Sequence, residues 1–227
     1  MAGRPWRAPA RHWEDRAHVI AGLDELGGGS WFGINDDGLV AGVMNRPHSL
    51  GPADGFRSRG ELPLEALDHA TAKDAAEALA HLDGGAYRPF NLVVADAGEA
   101  FWLRSDGDGI VEPRPIPTGL SVITAQNLND TTSPRIAAYR PRFAAATAPD
   151  PDKGDWSAWE ALLASRDGAD SEPRNAMAIV TDMGFGTVSS SEVALPAFDR
   201  FGVKPVFRFA AGRPGEAPHQ PVSLSSK

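Results

Sequence analysis

Side chains that could polarise a carbonyl group gather where predicted strands end. The segment VMNRP ends one strand with Asn45, beside Arg46. A side-chain amide at such a place can stabilise a developing oxyanion, although Asn is also a common turn former. The segment TAQNLND ends another strand with Gln126 and Asn127. These amides fit two interpretations, a polar loop or the lining of a site that binds a carbonyl or amide group.

Three further segments carry cationic, hydroxyl or aromatic candidates. FRSRGEL places Arg59 before a predicted helix, where it could bind an anion or belong to an ordinary capped helix start. In GFGTVSSSEVALP, strand alternation would put Thr187, Ser189 and Ser191 on one face, and buried hydroxyls need partners or a ligand. No His lies nearby in sequence, so a serine triad is not expected unless a His comes from a distant segment. GGGSWFGIN lacks the Lys-Ser/Thr of a phosphate loop, which favours a tight turn with Trp31 in the core.

Composition argues against several classes of function. The net charge of -8 disfavours nucleic acid as a partner, because phosphate binding needs a basic surface. The absence of Cys excludes disulfides, thiolate metal sites and a Cys nucleophile within this sequence. Six His without metal-ligand spacing argue against a metal site. No apolar run approaches the ~18 residues of a membrane span.

The pattern of elements predicts an α+β fold of antiparallel sheets covered by helices. We expect one domain over residues 1–227, with a loop at 1–18 and a polar tail at 212–227. Hairpins joining short apolar strands alternate with blocks of helix, which is typical of α+β proteins. The predicted turns lie at 36–38 and 97–99, the further strands include 119–125 and 176–182, and the helices lie at 63–82 with a break near 71, at 133–143 and from 155 onward.

Six segments in order resemble the NRDE family, also called the transport and Golgi organization family. They are GGSWFGI, GVMNRP, SRGEL, FNLVVAD, GLSVITAQNLND with SPRI, and GFGTVSSSEVALP. The family resembles N-terminal nucleophile hydrolases, so the resemblance implies a four-layer αββα sandwich. It also implies that Asn45 donates to an oxyanion and that Asn127 or Gln126 contacts a substrate amide. The candidate ligand-binding residues are Trp31, Arg46, Arg59, Gln126, Arg135, Thr187 and Ser189.

The N-terminus departs from the family pattern. Family members start Met-Cys and carry Asn-Arg-Asp-Glu at the end of the first strand, followed a few residues later by Arg-Pro. Here Arg4-Pro5 stand close behind Met1, so the Cys nucleophile, the first strand and the motif have no counterpart. We therefore expect either a true start further upstream or a relative without a nucleophile.

The resemblance implies two alternative functions. One is the handling of a small ligand, either haem or a lipid- or acyl-like molecule, with His12, His18 and His48 as first candidates for haem ligands. The other is an amide or acyl hydrolase whose Cys lies in an upstream segment. The missing nucleophile favours ligand handling. The excess of Arg over Lys, with abundant Ala, points to a bacterial and hence cytoplasmic protein.

Overall fold

Two antiparallel sheets form the body of the chain, and helices flank them. The structure is a computed structural model that describes residues 3–168, 170, 172–182 and 184–225. The first sheet has the strand order β1 to β7, with bounds Trp6–Ala10, Val19–Asp24, Phe32–Asn35, Val40–Asn45, Phe90–Ala95, Ala100–Ser105 and Glu112–Pro115. The second sheet has the order β10-β9-β8, with β8 at Ser190–Ala194, β9 at Val206–Ala210 and β10 at Gln220–Pro221. The α-helices are α1 (Glu61–Leu67), α2 (Ala72–Leu79), α3 (Pro134–Ala145) and α4 (Ser157–Leu163).

The layer order follows from the side chains that meet. Phe207 of β9 is buried against Ile20 and Ile34 of the first sheet. Its neighbour Arg208 points to the opposite face, because successive side chains of a strand alternate, and there it contacts Glu160 of α4. The helices α1 and α2 cover the other face of the first sheet with the larger apolar core. The fold is therefore the α+β sandwich, with layers αββα, that the sequence predicts.

The hairpin between β3 and β4 is fixed by one buried amide. Asn35 accepts hydrogen bonds at Oδ1 from the N–H groups of Asp37 and Leu39, and its Nδ2 donates to the carbonyls of Leu67, the last residue of α1, and of His69 just after it. The turn needs a residue at φ 83°, which a glycine in the Asp-Asp-Gly sequence supplies. The hairpin predicted at 36–38 is confirmed, and Asn35 also ties it to the first helical layer.

The predicted break between two helices is confirmed at Thr71. Its Oγ1 accepts a hydrogen bond from the N–H of Asp74 at 3.1 Å, as expected for a capping box. A second cap comes from Asp96, in the turn between β5 and β6, whose Oδ2 accepts from the N–H of Ala72 at 2.8 Å. The start of α2 is therefore joined directly to the first sheet.

Two segments predicted as loop or tail carry strands instead. Residues 6–10 form β1, which pairs with β2, so the prediction of a loop over 1–18 is wrong for this part. The bulge between Arg7 and Ala10 disturbs the alternation that would have revealed the strand. In the tail 212–227, β10 pairs with β9, and Val222 packs between the sheets. Residues 1, 2, 226 and 227 lie outside the described part of the chain.

Two segments predicted as strands form none within the described residues. In 119–125, hydrogen bonds from side chains replace a strand ladder: Asn129 Oδ1 accepts from the N–H of Val122, and Asn91 donates to the carbonyl of Thr124. In 176–182, a single bridge joins Val180 to Gly186. Apolar composition alone does not distinguish such segments from strands, because their main-chain partners come from elsewhere in the fold.

No helix in the described part of the chain is both long and apolar enough to cross a membrane.

Candidate functional site

An open groove lies at the edge of the sandwich, between the outer strand of each sheet. It runs between β1, one edge strand of the first sheet, and β10, one edge strand of the second, and its volume is about 450 Å³. The size falls in the range of roughly 300–1,000 Å³ seen for small-molecule sites. Most of the lining side chains are apolar, and the lining consists of Ala8, Pro9, Phe209, Ala211, Ala217, Pro218, Gln220, Pro221, Val222 and Ser223.

The predicted ligand-binding residue Trp31 supports the groove from behind. Phe209 of the groove wall meets Trp6 edge to face, with ring centroids 5.7 Å apart, and Trp6 meets Trp31 in the same way at 6.0 Å. Trp31 itself lies over Gly22, where an added Cβ would come within 2.4 Å of its ring. Gly22 therefore leaves space for the indole of Trp31, which packs behind Trp6 and Phe209.

A buried amide missed by the sequence analysis organises the inner face of the first sheet. Asn91 has no exposed surface. Its Oδ1 accepts from Nη1 of Arg46 at 2.8 Å and from Nε1 of Trp102 at 3.0 Å, and its Nδ2 donates to the carbonyls of Thr124 and Gln126 at 2.8 Å each. The hydrogen-bonding capacity of the amide is fully used. Asn91 thus fastens the segment after β7 to the sheet.

Some of the predicted site residues meet at this amide, and others do not. Nη1 of Arg46 also donates to Oδ1 of Asn127 at 3.1 Å, and its Nε lies 2.7 Å from Asp106. Arg46 and Asn127 are therefore brought together and satisfy each other's polar groups, whereas Gln126 contributes its main-chain carbonyl to Asn91. Asn45 lies on the opposite face of β4, which packs toward α1, so the structure does not join it to Asn127.

The guanidinium of Arg59 donates hydrogen bonds to main-chain carbonyls and to a serine hydroxyl. Its guanidinium donates to Oγ of Ser49 and to the carbonyl of Pro89, both at 2.9 Å, and to the carbonyl of Gly51. Burial and then the neighbouring Arg88 lower the pKa of Arg59 to about 10. No carboxylate in the described part of the chain pairs with it. Arg59 therefore clamps the loop that follows β4.

The remaining candidates lie apart from one another. Burial lowers the pKa of Arg135, whose Nη2 donates to the carbonyl of Arg174. Oγ1 of Thr187 accepts from the N–H of Ile179 at 2.9 Å, which replaces a strand contact. Thr187 and Ser189 precede β8, so the polar face predicted for these residues does not form as a strand face.

A second polar cluster, which the sequence analysis also missed, lies on the outer face of the second sheet. Oγ of Ser190 is 2.8 Å from Nε2 of His219, and Nδ1 of His219 is 3.3 Å from Oε1 of Glu160. Nη1 of Arg208 lies 2.7 Å from Glu192 and 2.9 Å from Glu160. We call these five residues the outer-face cluster. A distant His does reach a serine here, and it comes from the segment predicted to be a polar tail.

Burial governs the protonation of the outer-face cluster. It raises the pKa of Glu192 to about 7, which Arg208 only partly offsets and Glu160 increases further. Burial also lowers the pKa of His219, although the charge of Glu160 acts in the opposite direction. His219 is therefore neutral near neutral pH. The tautomer that fits both contacts has N–H at Nδ1 toward Glu160 and a lone pair at Nε2 toward Ser190.

Among the described residues, a group of potential metal ligands lies in the outer-face cluster, but an arginine already occupies it. Ligand atoms of Glu160, Glu192 and His219 lie within 4.8 Å of one another. However, the guanidinium of Arg208 already contacts both carboxylates, so the place of a cation is taken by the protein itself. No His lines the groove, and the ring of His12 contacts the carbonyl of Ala8 instead.

The comparisons with known proteins give a family and a partial structural likeness. Among solved structures, penicillin V acylase from Agrobacterium tumefaciens matches with a TM-score of 0.33 and 17% identity, over 48% of this chain and 40% of that chain. The match thus spans less than half the length of that protein, and the layer order given above rests on contacts within this chain. A search of curated proteins found no significant match. The family model for Transport and Golgi organisation 2 matches residues 3–185. Because that match covers most of the sequence, the chain belongs to the Transport and Golgi organisation 2 family, which confirms the resemblance drawn from its motifs.

Proposed function

We propose that this chain binds a small acyl- or lipid-like ligand in the groove between β1 and β10. The observation that carries this proposal is the lining of the groove, in which only Gln220 and Ser223 are polar. Covering apolar surface stabilises a complex by about 25 cal/mol per Å², so a hydrocarbon chain is the kind of group that gains most from such a lining. The polar pair can contact a head group.

Two features favour an acyl ligand over the alternatives. Haem iron is usually held by His, Met, Cys or Tyr, and none of these lines the groove. A second cavity, of about 360 Å³, is lined by charged residues that include Glu172, Arg174 and Asp182. Burying those charges under an apolar ligand would cost free energy. The apolar groove is therefore the better place for a lipid-like molecule.

Isothermal titration with lauric acid tests the proposal. Ala8 lines the groove and is exposed, so Ala8→Trp should fill it without disturbing a packed core. Ala10 is also exposed on β1 but does not line the groove, so Ala10→Trp is the matched control. We expect lauric acid to bind wild type and Ala10→Trp alike, and Ala8→Trp to bind at least about tenfold more weakly.

A parallel titration with haemin separates the two ligand classes. Binding of lauric acid without a shift of the haemin Soret band supports the acyl ligand. A haemin shift with no response to lauric acid would overturn the proposal. So would equal binding of lauric acid by wild type and Ala8→Trp, because the ligand would then lie elsewhere.

A further inference from the structure

The outer-face cluster contains a serine, a histidine and a carboxylate in one chain of close polar contacts, a hydrogen bond from serine to histidine and a charged contact from histidine to carboxylate. Ser190 Oγ, His219 and Glu160 follow one another at 2.8 Å and 3.3 Å. A nucleophile beside a base, with the base oriented by a third group, is the arrangement used in nucleophilic catalysis. We propose that Ser190 is the nucleophile and His219 the base of a second site, one that hydrolyses carboxylic esters, with Glu160 positioning His219.

The sheet brings the serine and the histidine together across one intervening strand. Ser190 pairs with Ala210 of β9, and Gln220 of β10 pairs with Phe209, so His219 lies beside Ala210 on the far side. The buried Ala210 carries only a methyl group, which lets the imidazole pass over β9 to Ser190. A larger residue at this position would separate the two groups.

The remaining members of the outer-face cluster hold the carboxylate in place. Arg208 donates a hydrogen bond to Glu192 and forms an ion pair with Glu160, and its guanidinium stacks on Trp156 at 5.4 Å from the ring centroid. Glu160 therefore reaches His219 from α4 with its charge balanced by an arginine that is itself fixed. Arg208, Glu160 and Glu192 are the charged groups of β9, α4 and β8 that contact His219 or its partners. Burial is the largest influence on the pKa of His219 and lowers it, while Glu160 raises it and Arg208 lowers it further.

The accessibility of the groups matches their roles. Ser190 is half-buried and begins β8, which is one of the two edge strands of the second sheet, so a substrate can approach it from that edge. The side chain of His219 is only 5% exposed. A shielded imidazole exchanges its proton with the serine rather than with bulk water, while the nucleophile remains reachable.

The reaction is balanced by the groups present and by water. His219 Nε2 takes the proton of Ser190 as Oγ attacks the ester carbonyl carbon. The bond from that carbon to the alkoxy oxygen then breaks, and His219 returns the proton to the leaving alcohol. Water attacks the acyl-serine in the second half, with His219 again removing a proton, and the products are the carboxylic acid and free Ser190.

Labelling with a fluorophosphonate probe tests the nucleophile directly. The probe phosphonylates an activated serine Oγ and releases fluoride, and mass spectrometry of the wild-type chain identifies the modified residue. We expect the label on Ser190, with none in Ser190→Ala. Ser191→Ala is the matched control, because Ser191 lies on the opposite face of β8 and should leave labelling unchanged. Labelling that is absent, or that falls on another serine, would overturn the proposal.

Hydrolysis of p-nitrophenyl acetate gives the second measurement. Ser190→Ala and His219→Gln should each lower kcat/KM by about 100-fold or more, while Ser191→Ala stays close to wild type. Thermal unfolding of each variant shows whether it is folded. Equal rates in folded Ser190→Ala and wild type would contradict the proposal.

The positioning role of Glu160 and a metal-binding alternative are separated by two further readouts. Glu160→Gln should move the acid limb of the pH–rate profile to lower pH, because the charge of Glu160 favours protonated His219. An unmoved limb would contradict the positioning role. A rise in melting temperature on adding Zn²⁺ that persists in Ser190→Ala but is lost in Glu192→Gln would identify a metal site and overturn the proposal.

Discussion

At the scale of the residue, Glu192 is a buried carboxylate whose charge is only partly neutralised by its neighbours. Its side chain is 5% exposed, and Oε2 contacts Arg208 at 2.7 Å. Oε1 has no hydrogen-bond partner among the described residues. A buried carboxylate with one unpaired oxygen is costly to ionise, which is why burial outweighs the arginine and raises its pKa to about 7. The outer-face cluster therefore holds a proton on Glu192 at mildly acidic pH.

This raised pKa predicts a pH-dependent stability. In the unfolded chain Glu192 ionises near 4.5, so its contribution to folding is complete below that pH and is lost as the pH rises through about 7. Glu192→Gln stays neutral throughout. Between about pH 5 and about pH 8 we expect the free energy of unfolding of Glu192→Gln to rise relative to wild type by on the order of 2–3 kcal/mol. Urea unfolding of both proteins at the two pH values measures this change, and a constant difference would contradict it.

At the scale of the element, one amide replaces a strand ladder. Asn91 makes four hydrogen bonds, two of them to carbonyls of the segment after β7. Asn91→Ala leaves these buried groups unpaired, and we expect a loss of about 2–4 kcal/mol in free energy of unfolding. Asn45→Ala is the matched control, since Asn45 has no side-chain hydrogen bond to any described residue, and it should lose under about 1 kcal/mol. Chemical denaturation measures both losses, and similar values for the two variants would show that Asn91 does not fasten the segment after β7 to the sheet.

The same elements show how far the sequence could predict the structure. Local signals predict the 36–38 turn and the Thr71 cap correctly, because turn glycines and capping residues affect the backbone only a few positions away in the sequence. The strand predicted at 119–125 does not form, because the carbonyls of Thr124 and of the following Gln126 accept hydrogen bonds from Asn91 of β5. No local pattern in the sequence reveals that contact.

In the candidate site too, residues with a local signal could be predicted and contacts between distant segments could not. The chemistry of Arg46 and Asn127 predicts a shared polar site, and the two side chains do meet, whereas Gln126 takes part only through its main-chain carbonyl. The sequence predicts a polar tail around His219, because β10 contains only two residues and its register depends on β9. No property of the tail itself points to Ser190. The outer-face cluster could be found only once the pairing of the second sheet was known.

At the scale of the whole molecule, the two sheets are joined by a small apolar contact. Phe207 is 2% exposed and packs on Ile20 and Ile34, and its ring meets Phe32 at a centroid distance of 5.9 Å. The larger core lies on the other side of the first sheet, beneath α1 and α2. The second sheet, which carries the outer-face cluster and one wall of the groove, therefore depends on few buried side chains.

Phe207→Ala tests this dependence against an exposed phenylalanine of the same region. Truncating a buried Phe costs about 3–5 kcal/mol, so we expect that loss for Phe207→Ala and under about 0.5 kcal/mol for Phe201→Ala, whose side chain is 91% exposed. Because the first sheet keeps its own core with α1 and α2, amide hydrogen exchange should accelerate in β8–β10 more than in β4 and β5. Uniform acceleration of hydrogen exchange across both sheets would mean that the two layers unfold as one unit. Equal losses in the free energy of unfolding for Phe207→Ala and Phe201→Ala would mean that Phe207 does not join the two sheets.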